Sequence, residues 1–236
     1  MSRRLRRCPR LISTALILAG VLLLGDVVVT LIWQEPVTGL IALVKRHDID
    51  HRYLSYSSMP LSPGEQVSLQ RLTSAEERIA FLARQDQRRV PNGAAIGRLT
   101  IPRIGVSYEV VQGTTTGDLE LGPGHYSSTA FPGLGATVAI AGHRTTYLAP
   151  FRNINELHAG DRIDLQMPYG TFHYVVQEQR VVTPNAWWIT RNLGYERLVL
   201  SACNPVYSAS QRIAVFARLA SVTPSKTVLD SASIHA

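Results

Sequence analysis

The first pattern along the chain is a long apolar run near the N-terminus. Residues 11–33 contain one ionisable side chain, Asp26, and five arginines lie between positions 3 and 10. A helix of this length covers about 34 Å at ~1.5 Å per residue, enough for the roughly 30 Å of a bilayer core. The pattern predicts a basic cytoplasmic segment over 1–10 and a transmembrane anchor over 11–33.

A cleaved signal peptide is the alternative interpretation of this run. The run is longer than the apolar part of a signal peptide usually is, and no small-x-small cleavage site follows it. We therefore expect a single-pass protein of the plasma membrane, with its N-terminus in the cytoplasm and its remaining residues on the outside.

The segment that follows, 34–93, is predicted to be an extracytoplasmic linker or stalk with one helix. Ser74 and Glu77 have the spacing of a capping box, and Ile79 and Leu82 give the next turns an apolar side. These features predict a helix near 74–88, which either belongs to a stalk or lies against the following domain.

From residue 94 the pattern changes to short apolar runs separated by Gly, Pro and Asn. Phe172, Tyr174 and Val176 alternate as in a half-buried strand, and Val181 continues the run after a bulge or bend. Such runs, without long helices between them, predict a mainly β domain over 94–222 that is a barrel or a sandwich. The candidate strands are 96–101, 108–112, 136–141, 162–167, 171–182, 198–202 and 212–219.

Only short helices are expected inside this domain, near 116–121 and 151–157. The segment after it, 223–236, is predicted to be a disordered tail.

Charge changes this picture little. The chain has 24 basic and 17 acidic residues and a formal net charge of +7, but five of the basic residues are the N-terminal arginines. Without them, 19 basic residues stand against 17 acidic ones, a net charge of +2. Because the excess belongs to the segment beside the apolar run, no nucleic-acid partner is predicted.

The two cysteines are predicted to lie on opposite sides of the membrane. Cys8 belongs to the cytoplasmic segment and Cys203 to the external domain, so they are not expected to pair. Cys203 is then a lone thiol in an oxidising compartment, where it is either a nucleophile or a small buried core residue.

Three residues at strand ends could supply the chemistry of a cysteine nucleophile. His143 follows the apolar run 138–141, Cys203 follows the run 198–202, and Arg212 opens the next run. A free thiol with a pKa of about 8.5 is only a few per cent ionised at neutral pH, so a cationic neighbour helps it. Histidine can move a proton, and arginine supplies a fixed charge for a developing oxyanion.

Spacing alone leaves alternatives to this set. A histidine after glycine is commonly a turn residue, and an arginine that opens a strand is commonly a solvated charge. His125, in Gly-Pro-Gly-His-Tyr, competes with His143 for the role of base, and spacing does not separate the two.

Longer motifs show a resemblance to a known family. The stretch 96–219 resembles the sortases, in particular the actinobacterial class E type. The matching motifs occur in family order and are Ile101-Pro102-Arg103-Ile104-Gly105, Gly122-Pro123-Gly124-His125-Tyr126, Ile140-Ala141-Gly142-His143-Arg144-Thr145-Thr146, Gly160-Asp161, Leu200-Ser201-Ala202-Cys203-Asn204-Pro205 and Gln211-Arg212-Ile213-Ala214-Val215.

The resemblance implies an eight-stranded β-barrel with short helices, following the single transmembrane helix. It assigns the catalytic roles to His143, Cys203 and Arg212. It also implies that no metal and no organic cofactor is needed.

The resemblance further implies a membrane-anchored cysteine transpeptidase and endopeptidase. Such an enzyme cleaves a C-terminal sorting signal, of the LAXTG or LPXTG type, between Thr and Gly. It holds the secreted protein as a cysteine thioester and transfers it to an amine of the peptidoglycan precursor lipid II. Tyr126, Ser201 and Ala202 are the candidate substrate-binding residues.

The sequence departs from the commoner family pattern near the cysteine. Val199 and Ala202 stand where threonines are usual, and Ser201-Ala202 is typical of class E. Asn204 stands where a larger or basic residue is expected.

Other functions fit the sequence less well. In papain-like and NlpC/P60-like hydrolases the cysteine precedes the histidine, and L,D-transpeptidases carry a Ser-His-Gly-Cys run that is missing here. The alternative outside enzymes is a catalytically impaired, sortase-like surface binding module.

Overall fold

A closed barrel of eight strands forms the body of the protein, in a computed structural model that describes residues 7–33 and 61–230. The strands are β1 (Ala95–Ile101), β2 (Val106–Gln112), β3 (Gly124–His125), β4 (Thr137–Ala141), β5 (Arg162–Met167), β6 (Gly170–Val182), β7 (Arg197–Asn204) and β8 (Gln211–Pro224). They close in the order β1-β2-β3-β4-β7-β8-β6-β5. The pairs β2/β3 and β4/β7 are parallel, and the other pairs are antiparallel. The predicted eight-stranded, mainly β barrel is confirmed.

Five helices accompany the barrel in the described residues. They are α1 (Arg7–Trp33), α2 (Pro63–Gln70), α3 (Ala75–Arg89), α4 (Thr116–Leu119) and α5 (Lys226–Asp230). Three short 3₁₀ helices lie at Pro102–Ile104, Ile154–Glu156 and Trp187–Thr190. The second of these falls within the predicted helix 151–157, which is therefore present only as a single 3₁₀ turn.

Alternation along β6 follows the predicted pattern as far as a bulge. Phe172 and Tyr174 are fully buried and Val176 nearly so, all in the barrel core. The register with β8 shifts between Val176 and Glu178, where a bulge was expected. Beyond it Val181 is 54% exposed, so the core-facing run ends at the bulge although the strand continues.

One strand, β3, has no counterpart among the seven predicted ones. Its two residues, Gly124 and His125, pair with β2 on one side and β4 on the other. Two residues show no alternation, and a glycine-proline cluster usually indicates a turn. A Cβ on Gly124 would lie 2.2 Å from the carbonyl oxygen of Gly113, so only glycine fits this position.

Helices α2 and α3 belong to the folded domain. Leu69 of α2, and Ile79 and Leu82 of α3, are buried in the same core cluster as the barrel interior. The folded unit therefore includes residues 61–93, which the sequence-based boundary at 93/94 assigned to a linker. The apolar side of α3 packs on the barrel because that contact removes it from water.

The end of the domain is ordered further than expected. Strand β8 runs to Pro224 and α5 covers Lys226–Asp230, where Val228 is fully buried and α5 contacts α3. The expected disorder is therefore wrong for residues 223–230. A five-residue helix with one buried side chain has too few positions to show a helical period. The rest of the predicted tail, 231–236, lies outside the described residues.

Helix α1 covers the N-terminal apolar run. Its large apolar side chains between Ile12 and Val28 are exposed, with Leu22 at 73%. Across the described residues, no helix combines the length and apolarity that a membrane crossing requires. The arginines before residue 7 and most of the predicted linker, 34–60, lie outside the described residues.

Candidate active site

Two strand pairings bring the three predicted residues to one edge of the barrel. Strands β4 and β7 are parallel with Ala141 opposite Ser201, and the Gly142 N–H donates to the Ser201 carbonyl at 3.0 Å. Because parallel strands end at the same edge, the next residues, His143 and Cys203, leave side by side. Strand β8 places Arg212 directly opposite Cys203.

Strand parity separates the residues on either side of this edge. Cys203 is a half-buried free thiol, and Ser201 lies on the same face of β7 because side chains alternate. Ala202 points to the opposite face and is 3% exposed in the barrel core. The Ala202 side chain therefore does not face a peptide on the Cys203 side, and the substrate-binding role of this residue stays a prediction.

A second apolar cluster lies on the outer side of the barrel strands. Its buried members are Ala139, Ile189, Val199, Ala214 and Phe216, with Tyr126, Val182 and Ala186 packed against them. The Tyr126 hydroxyl is hydrogen-bonded to the Ser201 hydroxyl at 3.0 Å. Two of the three candidate substrate-binding residues thus lie together beside this outer cluster.

His143 has one ring nitrogen without a protein partner. Within the described part of the chain, its Nε2 is buried and makes no hydrogen bond. Burial lowers the pKa of His143, and the Glu120 carboxylate opposes that shift. A neutral imidazole with an available nitrogen can accept a proton from a thiol, so the ring is suited to general base chemistry.

The segment after His143 supports the ring. The ring of Tyr147 lies 5.2 Å from that of His143, and its hydroxyl donates to Glu120 Oε1 at 3.1 Å. Tyr147, Leu148 and Ala149 all have left-handed backbone angles, with φ of 50°, 65° and 42°. Three consecutive non-glycine residues rarely adopt this region, so neighbouring contacts hold this turn in place.

Packing against Gly142 fixes where His143 leaves the barrel. A Cβ on Gly142 would lie 2.5 Å from the Phe151 ring, and the Phe151 N–H donates to the His143 carbonyl at 3.0 Å. The glycine of the Ala-Gly-His motif is therefore required by the close approach of an aromatic ring.

The competing histidine, His125, has a different environment. It is fully buried, with Nδ1 2.8 Å from Gln112 Oε1 and Nε2 3.0 Å from the Ala130 carbonyl and 3.1 Å from Thr129 Oγ1. Burial lowers the pKa of His125 to about 4. Since both nitrogens are occupied and water is excluded, His125 is a structural residue and the structure separates it from His143.

Arg212 is held by the loop between β7 and β8. Its Nη1 donates to the carbonyls of Ala209 and Gln211, each at 2.9 Å. Within residues 61–230, neither its Nε nor its Nη2 has a hydrogen-bond partner. The guanidinium is thus oriented through one nitrogen while its other donors remain available beside Cys203.

Arg144 is a buried residue of the site to which the sequence analysis gave no role. Its Nε donates to the Arg152 carbonyl at 3.2 Å and its Nη2 to Asn155 Oδ1 at 2.7 Å. Its Nη1 donates to Asn204 Oδ1 at 2.7 Å and to the Cys203 carbonyl at 3.4 Å. The Arg144 side chain is 6% exposed, and its hydrogen bonds connect the end of β7 to the segment after His143.

These contacts explain Asn204, the departure from the family pattern. Its side chain accepts from Arg144 and donates from Nδ2 to Gln211 Oε1 at 3.0 Å. A basic residue at this position has no side-chain acceptor for the Arg144 hydrogen bond. Burial and the neighbouring Arg152 charge lower the pKa of Arg144, while the Cys203 thiolate favours its charged form. Arg144 is therefore a fixed cation beside the thiol.

A thiol, an imidazole and a guanidinium at the rim of a closed β-barrel define a protein of the cysteine acyl-transfer class. The sortase domain family matches residues 99–220, which are 122 of the 236 residues. The chain therefore belongs to the sortase family of cysteine transpeptidases.

Curated relatives come from more than one sortase class. The chain is 34% identical over 130 residues to sortase D of Bacillus subtilis (strain 168), covering 53% of this chain and 64% of that protein. It is 29% identical over 121 residues to sortase A of Bacillus anthracis, covering 51% of this chain and 57% of that protein. The chain thus spans less than two thirds of the length of either relative.

Solved structures extend the similarity to class E. Sortase E from Streptomyces avermitilis is 32% identical with a TM-score of 0.52, over 57% of this chain and 93% of that one. Sortase E1 from Streptomyces coelicolor, solved with a tripeptide in the active site, is 26% identical with a TM-score of 0.53. That match covers 56% of this chain and 91% of the other.

Proposed function

We propose that this protein cleaves a C-terminal sorting signal between Thr and Gly through a thioester on Cys203. It then transfers the secreted protein to an amine of a cell-wall precursor. The observation that carries the proposal is the pairing at one barrel rim. Cys203 lies opposite Arg212, and His143 leaves the neighbouring parallel strand at the same level.

The reaction uses the three side chains in sequence. The Cys203 sulfur attacks the threonine carbonyl carbon, and the oxyanion that forms takes hydrogen bonds from the available donors of Arg212. Protonated His143 gives its proton to the leaving glycine amine, and the C–N bond breaks. The acceptor amine then attacks the thioester, the C–S bond breaks, and the amine proton returns through His143.

The charges of the site are set by one imidazole and two guanidinium groups. Burial lowers the pKa of His143, so the enclosed site favours the neutral imidazole. The fixed charges of Arg144 and Arg212 stabilise the negative charge that develops as the Cys203 sulfur attacks. The dependence of kcat/KM on pH should report the ionisation of the imidazole.

The proposal is tested with fluorogenic peptides and the full chain in detergent. Peptides of the LAXTG and LPXTG types should be cleaved, and an added amine should be joined to the Thr end. Cys203→Ala should abolish cleavage and the thioester seen by mass spectrometry. Binding of the peptides without any thioester would instead favour a sortase-like binding module, and activity retained in Cys203→Ala would refute the proposal.

The preferred signal is proposed to be the LAXTG type of class E. The similarity to two Streptomyces class E structures supports this preference, as does the hydrogen bond between Tyr126 and Ser201 two positions before Cys203. Tyr126→Phe removes the hydroxyl but keeps the ring. It should lower kcat/KM for LAXTG peptides more than for LPXTG peptides if the hydroxyl contributes to the choice, and an unchanged ratio would contradict this role.

Helix α1 is proposed to anchor the catalytic domain to the outer side of the plasma membrane. The exposed apolar side chains of α1 and the five arginines between positions 3 and 10 support this topology. The proposal predicts that the full chain fractionates with membranes and that protease added to intact spheroplasts removes the catalytic domain. Full protection from the protease would contradict it.

A further inference from the structure

Arg152 has an unsatisfied donor and is linked to the end of β7 through Arg144. In the described residues its Nη1 is buried without a hydrogen-bond partner, and its guanidinium lies 5.9 Å above the ring of Tyr207. Tyr207 belongs to the loop between β7 and β8 and is 58% exposed. A buried guanidinium N–H without an acceptor is costly, so this donor is a favourable place for an anion.

Arg152 lies one side chain away from Cys203. The Arg144 guanidinium donates both to the Arg152 carbonyl and to the Cys203 carbonyl. The ring of Tyr207 lies on the same side, four residues after Cys203 along the chain. A group bound at Arg152 and Tyr207 therefore lies near the end of β7 that carries Cys203.

The local charge is positive and uncompensated. Arg144, Arg152 and Arg212 surround this end of β7, and over residues 61–230 none of the three forms an ion pair with a carboxylate. The acidic residue that acts on His143 is Glu120, which accepts a hydrogen bond from Tyr147 on that side of the site. An anionic ligand group would satisfy Arg152 and reduce the repulsion between the arginines.

We propose that Arg152 and Tyr207 bind a carboxylate of the acyl acceptor, so that the preferred acceptor is an amine that also carries a carboxylate. This inference rests on the proposed function, because it concerns the second substrate of the same site. The planar guanidinium binds the carboxylate, and the amine is held near the thioester. The amine nitrogen then forms the new amide bond as the C–S bond breaks, and its proton passes through His143 as Cys203 regains a thiol.

The test compares acceptors that differ only in the carboxylate. Glycine, glycylglycine and Nα-acetyllysine place the carboxylate at different distances from the amine, and each is paired with its C-terminal amide. The full chain should prefer the carboxylate form in at least one pair by about tenfold in kcat/KM for transfer, the value of one charge-assisted hydrogen bond. The preference should weaken as ionic strength rises.

Variants locate the preference. Arg152→Gln should abolish it, and Arg152→Lys should keep part of it because the charge remains without the fork. Arg218 lies over the Tyr195 ring at 5.5 Å and about 20 Å along β8 from Arg212, so Arg218→Gln is a matched control. It should keep the full preference. The ratio of kcat/KM for the carboxylate acceptor to that for its amide is measured within each variant, so a change in the overall rate of that variant cancels.

Two further measurements test the assignment: one asks whether the carboxylate belongs to the donor peptide, and the other measures carboxylate binding without turnover. Donor peptides with Glu or Gln at the variable position test whether the carboxylate belongs to the sorting signal. If Arg152→Gln changed the ratio of rates for the Glu and Gln donor peptides and left the acid-to-amide ratio of the acceptors unchanged, the acceptor assignment would be overturned. Titration of Cys203→Ala with glycylglycine and its amide, followed by NMR, tests carboxylate binding without turnover. Absence of cleavage by the unmodified chain would refute the proposed function, whereas equal binding of acid and amide would refute this inference.

Discussion

Two histidines, His125 and His143, stand at the ends of short strands in the same barrel, yet their environments differ completely. The ring of His125 is enclosed, and its two nitrogens have three polar partners. The ring of His143 contacts one tyrosine, and its Nε2 has no partner in the described part of the chain. A histidine whose ring nitrogens are all hydrogen-bonded is suited to a structural role, whereas one with a free ring nitrogen is suited to proton transfer. The sequence around the two histidines does not make this distinction.

The largest expected effect comes from removing the rim histidine. His143→Ala should lower kcat/KM by about 10² to 10⁴, because a general acid–base group contributes that factor. Its unfolding free energy should change little, since the ring makes no hydrogen bond to any residue that the structure describes. Peptide cleavage and urea unfolding measure the two quantities. A large loss of stability in His143→Ala with full activity in the folded fraction would show that His143 has a structural role.

The enclosed histidine should control stability in acid. Its pKa falls from 6.5 to about 4 on folding, so between these values the unfolded chain binds a proton that the folded chain does not. Stability should therefore fall as pH decreases from 6.5 to 4, by about 3 kcal/mol in total. The lowered pKa of His143 acts in the same direction.

Urea unfolding of the His125→Gln variant isolates this contribution. The variant should be less stable at pH 7 because a buried network is disturbed, and its loss of stability between pH 6.5 and 4 should be smaller than in the unmodified protein. An identical pH dependence in the two proteins would show that His125 does not carry the effect.

The smallest effect concerns how the rim is positioned. Gly142→Ala places a methyl group against the Phe151 ring and should destabilise the protein by about 1 to 3 kcal/mol. It should also lower kcat more than KM changes, because His143 is displaced from Cys203. Gly117→Ala is the control, since a Cβ there meets no atom closer than 4.0 Å. Equal kinetics in both variants would mean that the Phe151 contact does not position His143.

Much of the fold followed from local patterns, but the site followed only in part. The sequence predicted strand β6 and its bulge because the buried residues of a strand recur at every second position and a bulge shifts that alternation. Strand ends and family motifs suggested His143, Cys203 and Arg212. Parity along β7 would have placed Ala202 in the core, because it stands between two outward residues.

The roles of other site residues depend on contacts between residues that are far apart in the sequence. Arg144 could not be assigned a role, because its partners Asn155 and Asn204 lie 11 and 60 positions away. The unsatisfied donor of Arg152 is a property of packing alone. Residue type gives the capacity to donate, and only the fold decides whether an acceptor is present.

The contact between α3 and α5 joins the beginning and the end of the folded domain. The two ends of the folded domain are thus held together, and a linker from α5 back to the start of α2 should allow the order of its elements to be permuted. New termini in the loop between β6 and β7 would leave the strands of the rim uncut.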